Sequence, residues 1–356
     1  MANVLIFGAS GNLGTSLLAS LEADPEIDEL VGVARRLPTE APFTRTRWVA
    51  ADIARDGLDA LFTGIDVVVH LAWLIQPSHD EALLDRVNVE GTGRILEAAA
   101  RAGTPTVVFG SSVGAYAPGA SGDRRVDESW STGGIEGNLY SEQKARAERL
   151  VDEFEAEHPA TRVVRMRPAL IFKRDSASHV RRLFLGPFVP QALLAPGRIP
   201  FLPDIPGMVT QAVHADDVAD AYRRVILSPD VRGAFNLAAE PLLTSEAMAR
   251  ALDTRTMPVG RGVARGIAEA VWRVHLQPTP GSWIELAVRS PLLDAGRARS
   301  ELGWEPRTTA TAALRELVEG IHDGASFPTP PLQDASPHRG LRRIRDGVGV
   351  ADETRD

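Results

Sequence analysis

The strongest constraint on this chain lies at its start, where Val4-Leu5-Ile6-Phe7 runs into three glycines spaced three apart, Gly8, Gly11 and Gly14. An unbroken apolar run is the pattern of a strand buried on both faces, as in a parallel sheet. From Leu13 the apolar period becomes helical through Leu17, Leu18 and Leu21. Strand, glycine turn and helix in that order open a dinucleotide-binding unit. Gly8 suits the tight turn, Gly11 the close approach of backbone to a pyrophosphate, and Gly14 the packing of helix on strand. Ser10, Asn12 and Leu13 fill the rest of the turn, and the unpaired N–H groups of a helix's first turn favour an anion.

The pattern repeats down the chain. Glu29–Ala34, Trp48–Ile53, Val67–Ala72 and Thr106–Gly110 read as further buried strands, which predicts a doubly wound parallel α/β sheet. An acidic residue after the second strand would hold an adenosine ribose, and arginine suits a 2′-phosphate. Here Arg35-Arg36 follow Ala34, so NADP is expected over NAD. Asp52 either meets the adenine amino group or caps the short helix containing Leu58 and Phe62. Leu71, Ala72 and Trp73, at the end of the strand beside the first, should line the cofactor crevice. His70 sits among apolar neighbours and reads as a hydrogen-bonded core histidine.

Thr106–Gly110 delivers Ser111 and Ser112 at its C-terminal end, where chemistry belongs in an open α/β sheet. Gly114, Ala115, Tyr116 and Pro118 read as loop rather than helix. A loop rich in Gly, Ser and Asp leads to a helix from Leu139 to about Glu157, on which Tyr140 and Lys144 share one face.

Bulk properties narrow the classes. The chain has 356 residues, long enough for one large domain or two that share a core. No apolar stretch reaches the length of a membrane span and no basic signal-peptide start precedes the first strand, so a cytoplasmic protein without a membrane partner is expected. With no cysteine, disulfides, thiolate metal sites and a cysteine nucleophile are excluded. A net charge of −8 gives no electrostatic reason to expect nucleic acid. The eight histidines never fall at the i, i+4 spacing of a helical metal pair, which argues against a metal enzyme.

Taken together, the motifs resemble the extended short-chain dehydrogenase/reductase family, of the epimerase/dehydratase type. The resemblance rests on Gly8 to Gly14, Asp52-Ile53, His70-Leu71-Ala72, Asn88-Val89-Glu90-Gly91-Thr92, Ser111 to Tyr116 and Tyr140-Ser141-Glu142-Gln143-Lys144. Later matches are Arg167-Pro168, Val213 to Ala219, Gly233-Ala234-Phe235-Asn236 and Leu302-Gly303-Trp304-Glu305-Pro306, so it spans about residues 3 to 320. It implies Ser112, Tyr140 and Lys144 as catalytic residues. The cofactor contacts are expected at Gly8, Ser10, Gly11, Asn12, Leu13, Gly14, Arg35, Asp52, Ile53, Leu71, Ala72, Trp73 and Asn88, with Tyr140 and Lys144 again. It also implies a homodimer. Residues 1–173, with return segments near 208–240, should form the dinucleotide-binding domain, 174–327 a smaller, mostly helical substrate lobe, and 328–356 an extended or mobile tail.

Two departures stand out: arginine replaces the acid after the second strand, and Ala169-Leu170-Ile171-Phe172-Lys173-Arg174 replaces the usual glycine-proline step. Leu183 to Pro190 and Ile199 to Pro203 are apolar where sugar-nucleotide enzymes tend to carry polar contacts. The expected partner is therefore a small-molecule substrate that is largely apolar or bulky rather than a sugar nucleotide. Hydride transfer to a ketone leaves charge on oxygen, which needs a proton donor and a fixed hydrogen-bond partner. Tyr140 can donate and Ser112 can bond the same oxygen. In reverse the phenol must act as base, and the Lys144 ammonium is expected to lower its pKa; by resemblance it also holds the nicotinamide ribose. The alternatives are a redox-neutral nucleotide-sugar epimerase or dehydratase, and a non-catalytic NADP-binding sensor.

Overall fold

Strand β1 (Ala2–Phe7) alternates its burial between two cores. Val4 and Ile6 face one, Leu5 and Phe7 the other, and all four are fully buried. That period of two, with both faces covered, is why Val4 to Phe7 include no polar residue. The computed structural model describes residues 1–40, 42–75, 80–119, 124–185, 190–273 and 279–333.

Seven strands form the central sheet: β1, β2 (Ile27–Ala34), β3 (Thr46–Ala50), β4 (Val67–His70), β5 (Thr106–Gly110), β6 (Arg162–Pro168) and β7 (Gly233–Leu237). Their order is β7-β6-β5-β4-β1-β2-β3 and every pairing is parallel. This is the doubly wound fold that the sequence predicts. Helices α1 (Asn12–Glu22) and α4 (Ala215–Leu227) cover one face, α2 (Gly91–Ala102) and α3 (Leu139–Glu157) the other. Each large aliphatic side chain buried this way contributes about 1.5–3 kcal/mol, and α1 alone supplies Leu17, Leu18 and Leu21.

Strand order reverses between β1 and β4. Their register pairs Phe7 with His70, and His70 with Phe109 of β5. Gly8, Leu71 and Gly110 therefore leave the sheet side by side, at the switch point where ligands enter folds of this kind.

The second half returns twice, to different places. Of the return segments placed near 208–240, Gly233–Leu237 joins the central sheet as β7, whereas Thr210–His214 does not reach it. Thr210–His214 instead pairs with Leu170–Phe172 and Ala239–Leu243 in a separate three-stranded sheet. Helices α5 (Arg261–Arg273), α6 (Ser282–Arg289) and α7 (Ala310–Asp323) complete this half, α7 packing on the small sheet. The first part of the tail, expected to be extended or mobile, is anchored: Thr329 and Leu332 are fully buried, and Thr329 Oγ1 donates to the Ser10 carbonyl at 2.8 Å. Residues 334–356, including Pro337 and Arg339 to Arg345, lie outside the described residues, as do 186–189 of the apolar segment. No helix among the described residues is long and apolar enough to cross a membrane.

Candidate active site

A cavity of about 1470 Å³ opens at the switch point, lined by Gly8, Ser10, Gly11, Asn12, Leu13 and Gly14 on one side and by Ser112, Tyr140 and Lys144 on the other. Ligand pockets commonly hold about 300–1,000 Å³, so this one has room for a dinucleotide and a second molecule.

The glycine turn is built without room for side chains. Gly8 has φ +82° and a Cβ there would lie 2.6 Å from Ala72 N; a Cβ on Gly14 would lie 2.4 Å from the Gly8 carbonyl. Helix α1 begins with no side-chain cap on Gly11 and no acidic residue in its first turn. Its first N–H groups are thus left for an anion, and the residues fit a dinucleotide diphosphate. Ala34, Arg35, Ile53, Leu71, Ala72 and Trp73 line the same cavity.

Two expected cofactor contacts, Asp52 and Asn88, do not line the main cavity. Asp52 lines a smaller neighbouring cavity of about 230 Å³ with Arg35, Arg36, Arg55 and Arg86. Its carboxylate accepts from Ala54 N at 2.9 Å and does not cap the turn Asp59–Phe62. Asn88, expected at the cofactor, is fully buried behind the wall. Its amide is used up by Leu74 N (2.8 Å), Leu74 O (3.0 Å) and Gln143 Oε1 (2.9 Å). Trp73 lines the crevice as expected and also packs on Lys144.

The serine lies at a turn and the tyrosine at a helix start. Contrary to the loop expected, Val113–Ala115 forms a single 3₁₀ turn, and Ser112 caps it by accepting from Gly114 N at 3.1 Å. Asn138 caps α3 by accepting from Ser141 N, which fixes the first turn carrying Tyr140. Burial pushes the Tyr140 phenol up to about 12, and the Ser112 hydroxyl pulls the other way. Lys144 is not among the groups that shift it. Its ammonium turns instead to the Gly110 carbonyl at 2.7 Å, and burial drives it down to about 7 while Glu148 pulls it up.

Behind this wall stands a charged network that the sequence reading did not single out. Arg167 of β6 grips both oxygens of Glu148, at 2.8 and 2.9 Å, and Ser111 donates to the same carboxylate. Burial pushes Glu148 up, but the Arg167 bonds override it and hold the carboxyl below its ordinary value. Arg167 also donates to Tyr116 Oη (2.9 Å), which donates to Asn236 (2.7 Å). The spacing Tyr140, Lys144, Glu148, four apart on one helix, is the signal that could have found it. Trp283 of α6, also unforeseen, has its ring centroid 5.5 Å from that of Tyr140, and Phe184 meets Trp283 edge-on at 5.2 Å.

A parallel sheet with a glycine turn at its switch point, and serine, tyrosine and lysine facing it, defines a Rossmann-type protein of the extended short-chain dehydrogenase/reductase class. The chain belongs to the NAD dependent epimerase/dehydratase family, whose sequence pattern matches residues 4–238. An uncharacterized protein of Mycobacterium tuberculosis is 30% identical over 321 residues, 89% of this chain, yet the chain spans only 30% of that protein's length. A 4-hydroxy-2-methyl-3-oxo-4-farnesyl-3,4-dihydroquinoline-1-oxide ketoreductase of Stigmatella aurantiaca is 26% identical over 355 residues, covering 94% of this chain and 98% of that one. The solved UDP-glucose 4-epimerase of Thermus thermophilus, in complex with NAD, superposes with a TM-score of 0.65 at 18% identity, over 90% of this chain and 98% of that one. The family is enzymatic and its members use a pyridine nucleotide.

Proposed function

We propose that the chain is an NADP-dependent carbonyl reductase or alcohol dehydrogenase acting on a largely apolar substrate. The observation that carries this reading is the setting of Tyr140: Ser112 faces its hydroxyl, and Trp283, Phe184, Leu170 and Leu286 wall the cavity around it. A bound nicotinamide dinucleotide would supply or accept the hydride. Tyr140, protonated at neutral pH, gives its proton to the carbonyl oxygen, and Ser112 bonds that oxygen and fixes its place. Lys144 lends positive charge beside them. The indole rings of Trp73 and Trp283 pack against the Tyr140 ring.

NADP is favoured by Arg35, Arg36, Arg55 and Arg86 around the smaller cavity. Both carboxylates there are engaged by backbone, Asp52 with Ala54 N and Asp56 with Asp52 N. A bulky apolar substrate is supported by the likeness to the Stigmatella relative, a farnesylated quinoline ketoreductase.

A redox-neutral epimerase or dehydratase acting on a nucleotide sugar is the second reading, favoured by the family's description and by the likeness to the Thermus epimerase. The two differ in cofactor handling. Incubating the purified chain with NADPH and a panel of apolar ketones should consume NADPH in step with alcohol formed. A dinucleotide retained through purification, with no consumption on any ketone and turnover of a UDP-sugar, would favour the epimerase.

A further inference from the structure

Trp73 touches both residues that the proposed chemistry uses. The Lys144 ammonium lies 3.5 Å from the centroid of the Trp73 ring. The same indole meets Tyr140 edge-on, with centroids 6.3 Å apart and planes at 82°. The Gly110 carbonyl accepts from the ammonium at 2.7 Å, and the Phe109 ring stands further off at 5.3 Å.

The indole is held in place from its neighbour. Asn88 grips both the N–H and the carbonyl of Leu74, and its Nδ2 also donates to Gln143, the residue before Lys144 on α3. Loop and helix are thereby tied through one side chain.

We propose that Trp73 is a positioning residue for Lys144: its ring face keeps the ammonium charged and aimed at the Gly110 carbonyl, one helical turn from Tyr140. The face of an indole is its negative side and attracts a cation, more strongly where water is excluded. Lys144 is 4% exposed, so water does little to hold its charge. The other groups facing it leave a role for the ring. Glu148, on the same helix, favours the ammonium but is already bonded to Arg167 and lies near Arg165, both on β6. His70 on β4 is driven down to about 3 by burial and by Lys144, so it stays neutral. Tyr140 is held protonated by burial and adds no charge.

What this means for turnover rests on the oxidoreductase reading. The charge on Lys144 does not, so the test uses the full chain without dinucleotide or substrate. Titration of Lys144 is followed through its ¹³Cε resonance in lysine-labelled protein, assigned with Lys144→Met. Trp73→Leu should lower the midpoint by about 0.5–1.5 pH units, and Trp73→Phe by less in the same direction. An unchanged or raised midpoint in folded Trp73→Leu overturns the proposal. If Trp73→Leu does not fold, Trp73→Phe decides by the same criterion. Where a ketone is reduced, the alkaline limb of the pH profile should move down with the midpoint; an equal loss at every pH marks a merely structural tryptophan. A chain that reduces no ketone yet shows the shifted midpoint keeps the inference and loses the proposed function.

Discussion

Tyr140 and Gly114 are in such close contact that a methyl group on Gly114 would lie 2.7 Å from Cε1 of the tyrosine ring. The ring is thereby set against the 3₁₀ turn that Ser112 caps, which places phenol and serine hydroxyl together. Gly114→Ala should push the ring aside and lower kcat at least tenfold, since displacements near 1 Å cost about 10² in rate. Dinucleotide affinity, measured by fluorescence titration, should stay within about twofold. Wild-type turnover in this variant would mean that the contact does not set the tyrosine.

Arg35→Ala tests the choice of dinucleotide. The side chain is exposed at the end of β2 and lines both cavities. Its loss should weaken NADPH binding about tenfold and leave NADH binding nearly unchanged. An unaltered preference would remove Arg35 from the 2′-phosphate site.

The Glu148–Arg167 pair is the main electrostatic risk in the fold. Their side chains are 0% and 7% exposed, so Arg167→Met strands a buried carboxylate, and breaking such a pair costs about 3–5 kcal/mol. Urea unfolding should show that loss, and Glu148→Gln in the same chain should restore part of it. No loss in Arg167→Met would mean that water reaches the site.

His70 gives a pH signature. Burial holds it down to about 3 against an ordinary 6.5, while its Nε2 bonds Thr92 Oγ1 at 2.9 Å. Between those values the unfolded chain binds a proton that the folded chain refuses. Its contribution is therefore complete above pH 6.5 and is lost as pH falls toward 3, at about 1.4 kcal/mol per unit. His70→Gln should flatten that slope in unfolding measured from pH 6.5 to 4. A slope identical to wild type would show that other groups cause it.

How much of this was legible beforehand depended on how local each signal was. The glycine turn, the strand ends and the Tyr140–Lys144 face are written in consecutive or four-spaced residues, and the turn and helix sit where those spacings put them. The direction of the Lys144 ammonium was not legible. It depends on Gly110 and Trp73, far away in sequence. Asn88 was misplaced for a related reason: nothing near it in the chain reveals that Leu74 and Gln143 consume its amide. The buried tail residues Thr329 and Leu332 were hidden by the prolines around them, which read as solvent-exposed coil.

The central claim is that Tyr140 protonates a carbonyl oxygen while the carbon beside it takes hydride. The most direct measurement uses NADPH deuterated at its transferable position, a ketone from the panel, and mass spectrometry of the product from the wild-type and Tyr140→Phe chains. One deuterium per alcohol and one NADPH oxidised per product are expected for wild type, with no alcohol from Tyr140→Phe although it still binds NADPH. Label that stays on the dinucleotide, or labelled alcohol formed equally fast by Tyr140→Phe, would contradict the claim.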